Sequence, residues 1–347
     1  MATTLSSAWH ILSSALNMLR PSAHEHMHAA GLINIGTAPE NMPLNRYTNI
    51  IPYDQTLVSL SNEKFINANH INLGTTNPTI IAQCPMHPEY HGPNTTSEFW
   101  RMIYEQRVST IVNLARVETG FGGASMYWPS NKGDKYFVEG HEVECVDVCV
   151  VHEQEEQEEV DSAEEEKEEN SGSRAESATS GLTRRLLRVT HTAAKSSASP
   201  IDVVHYHFRA WPNYNVASSS SSTVSLLQHV LSDRRREKEE EEEEGVPERR
   251  PTLVHCSGGV GRSGTFVAAL TAYEQIREER KMDGEGGKDA KVEVEVEGSS
   301  IASKLLKIVQ AMRQQRHPWM VEGEAQFLFA ARLVEELLAS GEGGEIF

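Results

Sequence analysis

The chain has 347 residues, 38% of them hydrophobic, so it is long enough to bury a sizeable core. Its formal net charge of −18 at pH 7 argues against nucleic acid as the main partner. No run approaches the roughly 20 apolar residues of a membrane span. The first residues have neither the basic head nor the apolar centre of a secretory signal. The four cysteines form no CxxC pair and no disulfide framework, which favours a reducing compartment, the cytoplasm or the nucleus.

The predicted elements change from strands early in the chain to helices late in it. Apolar runs predict strands over 79–84, 109–115, 141–151, 201–210 and 251–256. Helical periodicity is found over 97–106, 262–280, 301–316 and 324–340. With no internal repeat, this mixture predicts one α+β domain with α/β-like features. Cys145 and Cys149 lie four residues apart on one predicted strand, so we expect both on its buried face.

Three charged tracts interrupt the predicted elements and are expected to be disordered loop insertions, over 152–181, 233–250 and 281–298. The first contains residues 153–169, with eleven acidic residues and one lysine, a net charge of −10. Tolerated surface insertion is the favoured interpretation, and docking of unknown partners or regulation is the alternative. Within the third tract, residues 291–297 alternate valine with charged residues, a pattern compatible with a short edge strand.

Residues 255–266, HCSGGVGRSGTF, connect a predicted strand to a predicted helix. Backbone N–H groups at a helix N-terminus bind anions, and glycines let an oxyanion approach the backbone closely. The same field lowers the pKa of a thiol, so Cys256 is predicted to be a thiolate at neutral pH. Arg262 offers a planar fork of donors that matches two phosphoryl oxygens. The pattern therefore predicts nucleophilic attack on phosphorus.

Two other interpretations of this motif explain less of it. Gly259, Gly261 and Gly264 satisfy the dinucleotide-binding pattern GxGxxG, but the second strand that such a unit needs is missing. A cysteine merely buried at a strand end would leave the glycines and the arginine without a role. Phosphate chemistry is the interpretation that uses every residue of the motif.

The motif resembles the signature of the protein tyrosine phosphatases, in which Cys-x5-Arg forms the catalytic phosphate loop. Further stretches resemble family blocks in family order: NRYTNIIPYD (45–54), FINANHI (65–71), IAQCP (81–85), FWRMIYEQ (99–106), YWP (127–129) and MRQQR (312–316). The resemblance favours the phosphotyrosine-specific, non-receptor branch. It implies one domain over 43–340, a twisted mixed sheet flanked by helices, after an N-terminal helical or irregular segment (1–42) and before a tail (341–347).

The resemblance also implies the site residues. Cys256 would attack phosphorus, His255 would orient and tune it, and Glu118 would brace Arg262. Tyr47 would stack on the substrate ring, and Asn49 would accept hydrogen bonds from the substrate backbone. Phosphate-binding positions are Ser257, Gly258, Gly259, Val260 and Gly261, while Ser263 joins Cys256 and Arg262 among the catalytic residues. The family needs no cofactor and no metal, and the expected partners are proteins containing phosphotyrosine.

Two positions depart from the family pattern. The family carries an aspartate after Trp-Pro as its general acid, whereas this chain reads AWPNYNVA with Asn213 at that position. Near the C-terminus, Glu322 replaces the first of two family glutamines, and Gln326 matches the second. Glu322 either repels the phosphoenzyme or, with a raised pKa, partly replaces the missing acid. Two function classes follow: a protein tyrosine phosphatase with slowed turnover, and a pseudophosphatase that binds phosphotyrosine without releasing phosphate efficiently.

Overall fold

A mixed β-sheet organises the chain in the computed structural model, which describes residues 2–17, 31–87, 93–117, 126–151, 181–192, 199–213, 215–244, 249–284 and 294–340. Within these ranges eight strands pair in the order β1-β2-β8-β3-β7-β6-β5-β4. They are β1 (Ala68–Ile71), β2 (Thr79–Ala82), β3 (Thr110–Asn113), β4 (Lys135–Val138), β5 (His141–Val151), β6 (Leu182–His191), β7 (Ile201–Phe208) and β8 (Thr252–His255).

The four central strands run parallel, because β8 pairs in parallel with both β2 and β3, and β3 pairs in parallel with β7. β2, β3 and β8 are buried at every position, as expected for strands covered on both faces. The flanking pairs are antiparallel. The carboxyl ends of the parallel strands therefore meet at one edge, the edge at which α/β sheets commonly bind ligands.

Seven α-helices lie in the described part of the chain. They are α1 (Ala2–Asn17), α2 (Asn34–Thr37), α3 (Thr96–Glu105), α4 (Ser220–Glu244), α5 (Gly261–Gly284), α6 (Val294–Gln315) and α7 (Glu324–Ala339). Side chains alternate across the sheet, so Leu253 packs in the cluster beneath α3 while Val254 packs in the cluster beneath α5, α6 and α7. The α+β class and the mixed sheet predicted from the sequence are confirmed. None of the helices described is long and apolar enough to cross a membrane.

The N-terminal helix α1 packs against the domain. The Trp9 ring lies 6.0 Å from that of Phe327 in α7, and the Arg313 guanidinium lies 5.7 Å from the Trp9 ring centre. Ser6 donates a hydrogen bond to Glu324 at 2.9 Å. Helix α1, in segment 1–42, thus packs against the C-terminal part of the domain, which carries Glu322 and Gln326.

Two of the three predicted disordered tracts are wrong in part. Residues 233–244 continue α4, since Asp233 accepts a hydrogen bond from Tyr206 at 2.6 Å and Arg234 pairs with Glu274 at 2.9 Å. These buried charged groups are satisfied by partners, which composition does not reveal. Residues 281–284 belong to α5, and α6 begins at Val294, so no edge strand covers 294–297. Glutamate and lysine favour helix, and they extend the two helices beyond their apolar cores. Residues 152–180 and 285–293 lie outside the described residues.

The prediction that Cys149 lies on the buried face of its strand is also wrong, because Cys149 is exposed, whereas Cys145 is fully buried. The pairing of β5 with β6 shifts register between Cys145 and Asp147. Such an irregularity moves every later side chain to the opposite face of the strand.

Candidate active site

The phosphate loop, residues 256–260, connects β8 to α5 at the carboxyl edge of the parallel strands. Its turn requires glycine at position 259, where φ is +69°. A Cβ there would lie 2.2 Å from the carbonyl oxygen of Ala82 in the neighbouring strand β2. The backbone N–H of Cys84 donates to the Ser257 carbonyl at 3.0 Å, which fixes the other side of the loop. The loop conformation is therefore set by close contact with β2.

Arg316, at the end of α6, holds the outer side of the phosphate loop. It is fully buried and donates to the carbonyls of Gly258 at 3.2 Å and Gly259 at 3.3 Å. Its third bond, at 2.7 Å, goes to the side chain of Asn69 in β1. Burial lowers the pKa of Arg316 to about 9, so it stays charged at neutral pH. The sequence analysis placed this arginine in a family block, MRQQR, but did not recognise it as a site residue.

The thiol of Cys256 lies at the floor of this loop and is 4% exposed. Burial raises its pKa, but the charge of Arg262, the Ser263 hydroxyl and the backbone N–H groups of Ser263 and Val260 together outweigh burial and lower the pKa below its usual value. The Ser263 hydroxyl has no other hydrogen-bond partner among the described residues. The thiolate form of Cys256 is thus more favoured than that of an ordinary thiol.

His255 precedes the nucleophile and is buried against Tyr127. Its Nε2 atom lies 2.6 Å from the Tyr127 hydroxyl, and its Nδ1 atom lies 3.3 Å from the Cys256 carbonyl. Burial lowers the pKa of His255 to about 3, so the imidazole is neutral at physiological pH. The lowered pKa of Cys256 therefore comes from Arg262 and the loop rather than from an imidazolium.

Arg262 joins the phosphate loop to the loop after β7. Its Nη1 donates to the carbonyls of Leu114 at 2.9 Å and Trp211 at 3.1 Å, and its Nη2 donates to Oδ1 of Asn213 at 2.8 Å. Trp211 is fully buried and anchors this loop. Within the described part of the chain, the Arg262 Nε–H has no hydrogen-bond partner, which leaves it available to an oxyanion. Asn213 thus lies beside the phosphate loop, as an amide bound to Arg262.

Glu322 lies directly against the phosphate loop. A Cβ on Gly261 would be 2.3 Å from Glu322 Oε2, so the carboxyl touches the first residue of α5. Val321 adopts φ of +60°, which a β-branched residue rarely does, and this turn brings Glu322 inward. Burial raises the pKa of Glu322, and the opposing charge of Arg262 does not cancel the rise.

Gln326 connects Glu322 to both loops. It is 4% exposed, its Oε1 accepts from the Glu322 N–H at 3.0 Å, and its Nε2 donates to the Asn215 carbonyl at 3.5 Å. The same Oε1 lies 3.4 Å from the Thr265 hydroxyl of α5. Gln326 is therefore held beside the phosphate loop and the loop that carries Asn213.

Tyr47 forms one wall of the site. Its hydroxyl is 2.7 Å from the Ser257 hydroxyl. Its ring lies 3.3 Å from the position that a Cβ on Gly258 would occupy. Arg46, which the sequence analysis overlooked, donates from Nε to Ser257 at 3.1 Å. Asn49 is exposed, and its carbonyl lies 3.0 Å from His317 Nε2. Glu118 lies outside the described residues.

Asp202 precedes the Asn213 loop in the sequence, but its carboxylate does not join the site. It pairs with Arg188 of β6 at 2.8 Å on the exposed side of the sheet. Among the described residues, Glu322 is thus the carboxyl that we find beside the phosphate loop, with Asn213 and Gln326 as neutral neighbours.

Comparisons with known proteins agree with this geometry. The sequence model of the protein-tyrosine phosphatase family matches residues 41–336. Receptor-type tyrosine-protein phosphatase eta of Gallus gallus is 27% identical over 308 residues, 87% of this chain and 17% of that protein. Tyrosine-protein phosphatase non-receptor type 2 of Homo sapiens is 27% identical over 253 residues, 72% of this chain and 49% of that protein. The chain therefore spans about a sixth of the receptor-type relative and about half of the non-receptor one.

Proposed function

Because this chain belongs to the protein-tyrosine phosphatase family, we propose that it hydrolyses phosphotyrosine in proteins through a cysteinyl-phosphate intermediate. The observation that carries the proposal is the Cys256 thiol, whose pKa is lowered inside a loop built to hold an oxyanion. A module that only bound phosphotyrosine would need the N–H groups and Arg262 but no activated thiol.

In the proposed first step, the Cys256 sulfur attacks phosphorus and the bond from phosphorus to the tyrosine oxygen breaks. Arg262 and the loop N–H groups bind the phosphoryl oxygens, whose charge they stabilise most in the transition state. In the second step, water attacks phosphorus and gives a proton to the carboxylate that donated one in the first step, the P–S bond breaks, and inorganic phosphate leaves with the thiolate restored. Gln326, held beside the loop, is the group we assign to orienting that water.

Proton transfer is the step that this site handles differently. The departing phenolate has a pKa of about 10 and needs a proton, which an amide at position 213 does not supply. Glu322 is the carboxyl that lies against the loop, and burial raises its pKa toward the range of a general acid. We assign the proton to Glu322, with slower turnover than a positioned aspartate would give.

A second candidate function rests on the bond from Arg262 to Asn213 at 2.8 Å. This bond holds the loop after Trp211 against the phosphate loop without an acid in place. A protein built in this way would retain phosphotyrosine proteins and release phosphate slowly.

The experiment that separates the two candidates is rapid-quench kinetics of the purified chain with a phosphotyrosine peptide at fixed pH. The phosphatase proposal expects steady release of phosphate over many turnovers, with 32P transiently bound to Cys256. Stoichiometric peptide binding with no release and no phosphoenzyme would instead establish the binding function. Cys149→Ser, which removes an exposed cysteine of β5, is the matched control for thiol chemistry.

A further inference from the structure

Helix α1 reaches the turn that carries Glu322, although the two are far apart in the sequence. Leu5 and Ala8 of α1 are buried in the hydrophobic cluster beneath α5, α6 and α7. Ile11 is 57% exposed, so the helix has a buried face and a solvent face. Trp9 is partly buried against the same cluster. The packing of α1 therefore places an aromatic ring next to the C-terminal helices.

Trp9 covers Arg313, an arginine of α6. The guanidinium carbon lies 5.7 Å from the centre of the Trp9 ring, a distance at which a cation and a ring face attract each other. The Trp9 ring also lies 6.0 Å from that of Phe327 in α7. Burial lowers the pKa of Arg313 to about 10, so the side chain stays charged at neutral pH. Trp9 thus restrains a charged guanidinium beside the turn that follows α6.

Arg313 in turn holds the backbone immediately before Glu322. Its Nε donates to the Met320 carbonyl at 3.0 Å, and its Nη2 donates to the Val321 carbonyl at 3.2 Å. These bonds flank the residue whose φ is +60°, a conformation that a β-branched side chain rarely adopts. Such a conformation persists only where the surroundings impose it. Arg313 is part of that restraint, and the turn directs Glu322 toward Gly261.

We propose that Trp9 is a positioning residue for Glu322, which acts through Arg313 and the left-handed turn at Val321. Without the ring, the guanidinium loses its cover on one side, and its two bonds to the turn weaken. The turn then relaxes toward an ordinary conformation, and the Glu322 carboxyl leaves its place against the phosphate loop. The inference rests on the proposed function only for the proton that Glu322 donates, since the placement of the carboxyl is a matter of geometry.

The position of the carboxyl has two measurable effects. An ionised Glu322 beside the phosphate loop repels a bound anion, because like charges at close range raise the free energy. Arg262 attracts the anion and opposes Glu322, while Arg316 bonds the loop from its outer side, and both arginines are kept in every variant below. Loss of Trp9 should therefore strengthen anion binding while it removes the proton donor. A general loosening of the site would weaken anion binding instead.

The first test measures sulfate binding by calorimetry in the Cys256→Ser background, at a mildly alkaline pH that favours ionised Glu322. Sulfate stays a dianion there, serine removes the titrating thiol, and no turnover is needed. Trp9→Ala and Glu322→Gln should each strengthen sulfate binding severalfold. The variant that combines them should bind no more tightly than Glu322→Gln alone, because Trp9 then has no carboxylate to position.

Three further variants show whether the effect passes through the guanidinium. Arg313→Lys keeps the charge but cannot donate to both carbonyls in the same fork, so it should reproduce the effect of Trp9→Ala. Trp9→Phe keeps an aromatic face toward Arg313 and should stay close to the unmodified affinity. Ile11→Ala, at an exposed position of the same helix, is the matched control and should have no effect. Thermal melting verifies that each variant is folded.

Turnover of a phosphotyrosine peptide, measured with Cys256 intact, separates this inference from the proposed function. Trp9→Ala should lower the rate severalfold and leave the rate of Glu322→Gln unchanged. If the sulfate results hold without a change in turnover, Glu322 is positioned but is not the proton donor, and that part of the proposed function fails. Sulfate binding that Trp9→Ala leaves unchanged, or alters equally with and without the Glu322 carboxyl, would overturn the inference, because the ring would then act only on the stability of the fold.

Discussion

The two halves of the candidate site differ in how they are built. The half to which we assign anion binding, residues 256–262, is made from backbone N–H groups and an arginine, and it is fixed by contacts with β2 and Arg316. The half to which we assign proton transfer depends on single side chains, Glu322 and the amide of Asn213 in place of an acid, at the ends of other elements. One substitution can therefore change proton transfer while anion binding stays intact. Binding and turnover are physically separable in this fold.

The largest effect is expected from substitution of Cys256, which should separate phosphotyrosine binding from turnover. Replacement of Cys256 by serine should lower phosphate release by roughly 10³-fold or more, because a hydroxyl is a far weaker nucleophile than a thiolate. Binding of a phosphotyrosine peptide should stay within a fewfold, since the N–H groups and Arg262 remain. Phosphate release and calorimetric titration measure the two effects. A serine variant with near-normal release would contradict the thiolate mechanism.

Asn213→Asp tests the proton-transfer half. The introduced carboxyl should speed cleavage of phosphotyrosine by roughly 10²-fold, the usual contribution of a positioned acid. A series of aryl phosphates measures the reason: because Glu322 only partly replaces the acid, turnover by the unmodified chain should depend more steeply on leaving-group pKa than turnover by the variant. An unmodified chain that is already insensitive to leaving-group pKa would show that Asn213 does not limit catalysis.

Glu322→Gln tests the proposed proton transfer through the pH dependence of the rate. A proton donor works in its neutral form, so the rate with phosphotyrosine should fall as pH rises through the raised pKa of Glu322. The glutamine variant should lose that limb of the pH profile and run about tenfold slower below it. Glu324→Gln, two residues on and bound to Ser6, is the matched control. If Glu322→Gln turns over faster instead, the carboxylate acts by repelling the phosphoenzyme.

The smallest effect is expected from deletion of residues 153–169. Val151 and Leu182 already pair across β5 and β6, so the sheet does not need the tract to set its register. Melting temperature by calorimetry and turnover of a phosphotyrosine peptide should both stay close to those of the full chain, within a fewfold for turnover. A large fall in melting temperature would show that the tract packs against the domain.

Sequence reasoning predicted the contiguous half of the site, around Cys256, better than the half that is built from distant segments. The strand, loop and helix around Cys256 could be predicted because apolar runs, glycines and the Cys-x5-Arg spacing are local signals. Strand β6 was missed because its arginines interrupt the apolar pattern, although its inward side chains are buried. The irregularity after Cys145 leaves no local trace, and it decides the exposure of Cys149.

Contacts between distant segments were beyond reach for a similar reason. Asn213 was recognised as a departure from the family acid, but its bond to Arg262, 49 residues away, depends on the closed tertiary structure. Glu322 was found by alignment to a family block, whereas its contact with Gly261 depends on the left-handed turn at Val321. The sequence therefore identified the two side chains but not the residues that they contact.

The three bonds of Arg316 have a consequence for the order of assembly. They join α6 to the phosphate loop, 57 residues away for Gly259, and to β1, 247 residues away at Asn69. Contacts of such large sequence separation form late in folding, because the loops between them must close first. Until then these contacts do not fix the loop that carries Cys256. The fixed shape of the phosphate loop is therefore a property of the finished domain, although its sequence is contiguous.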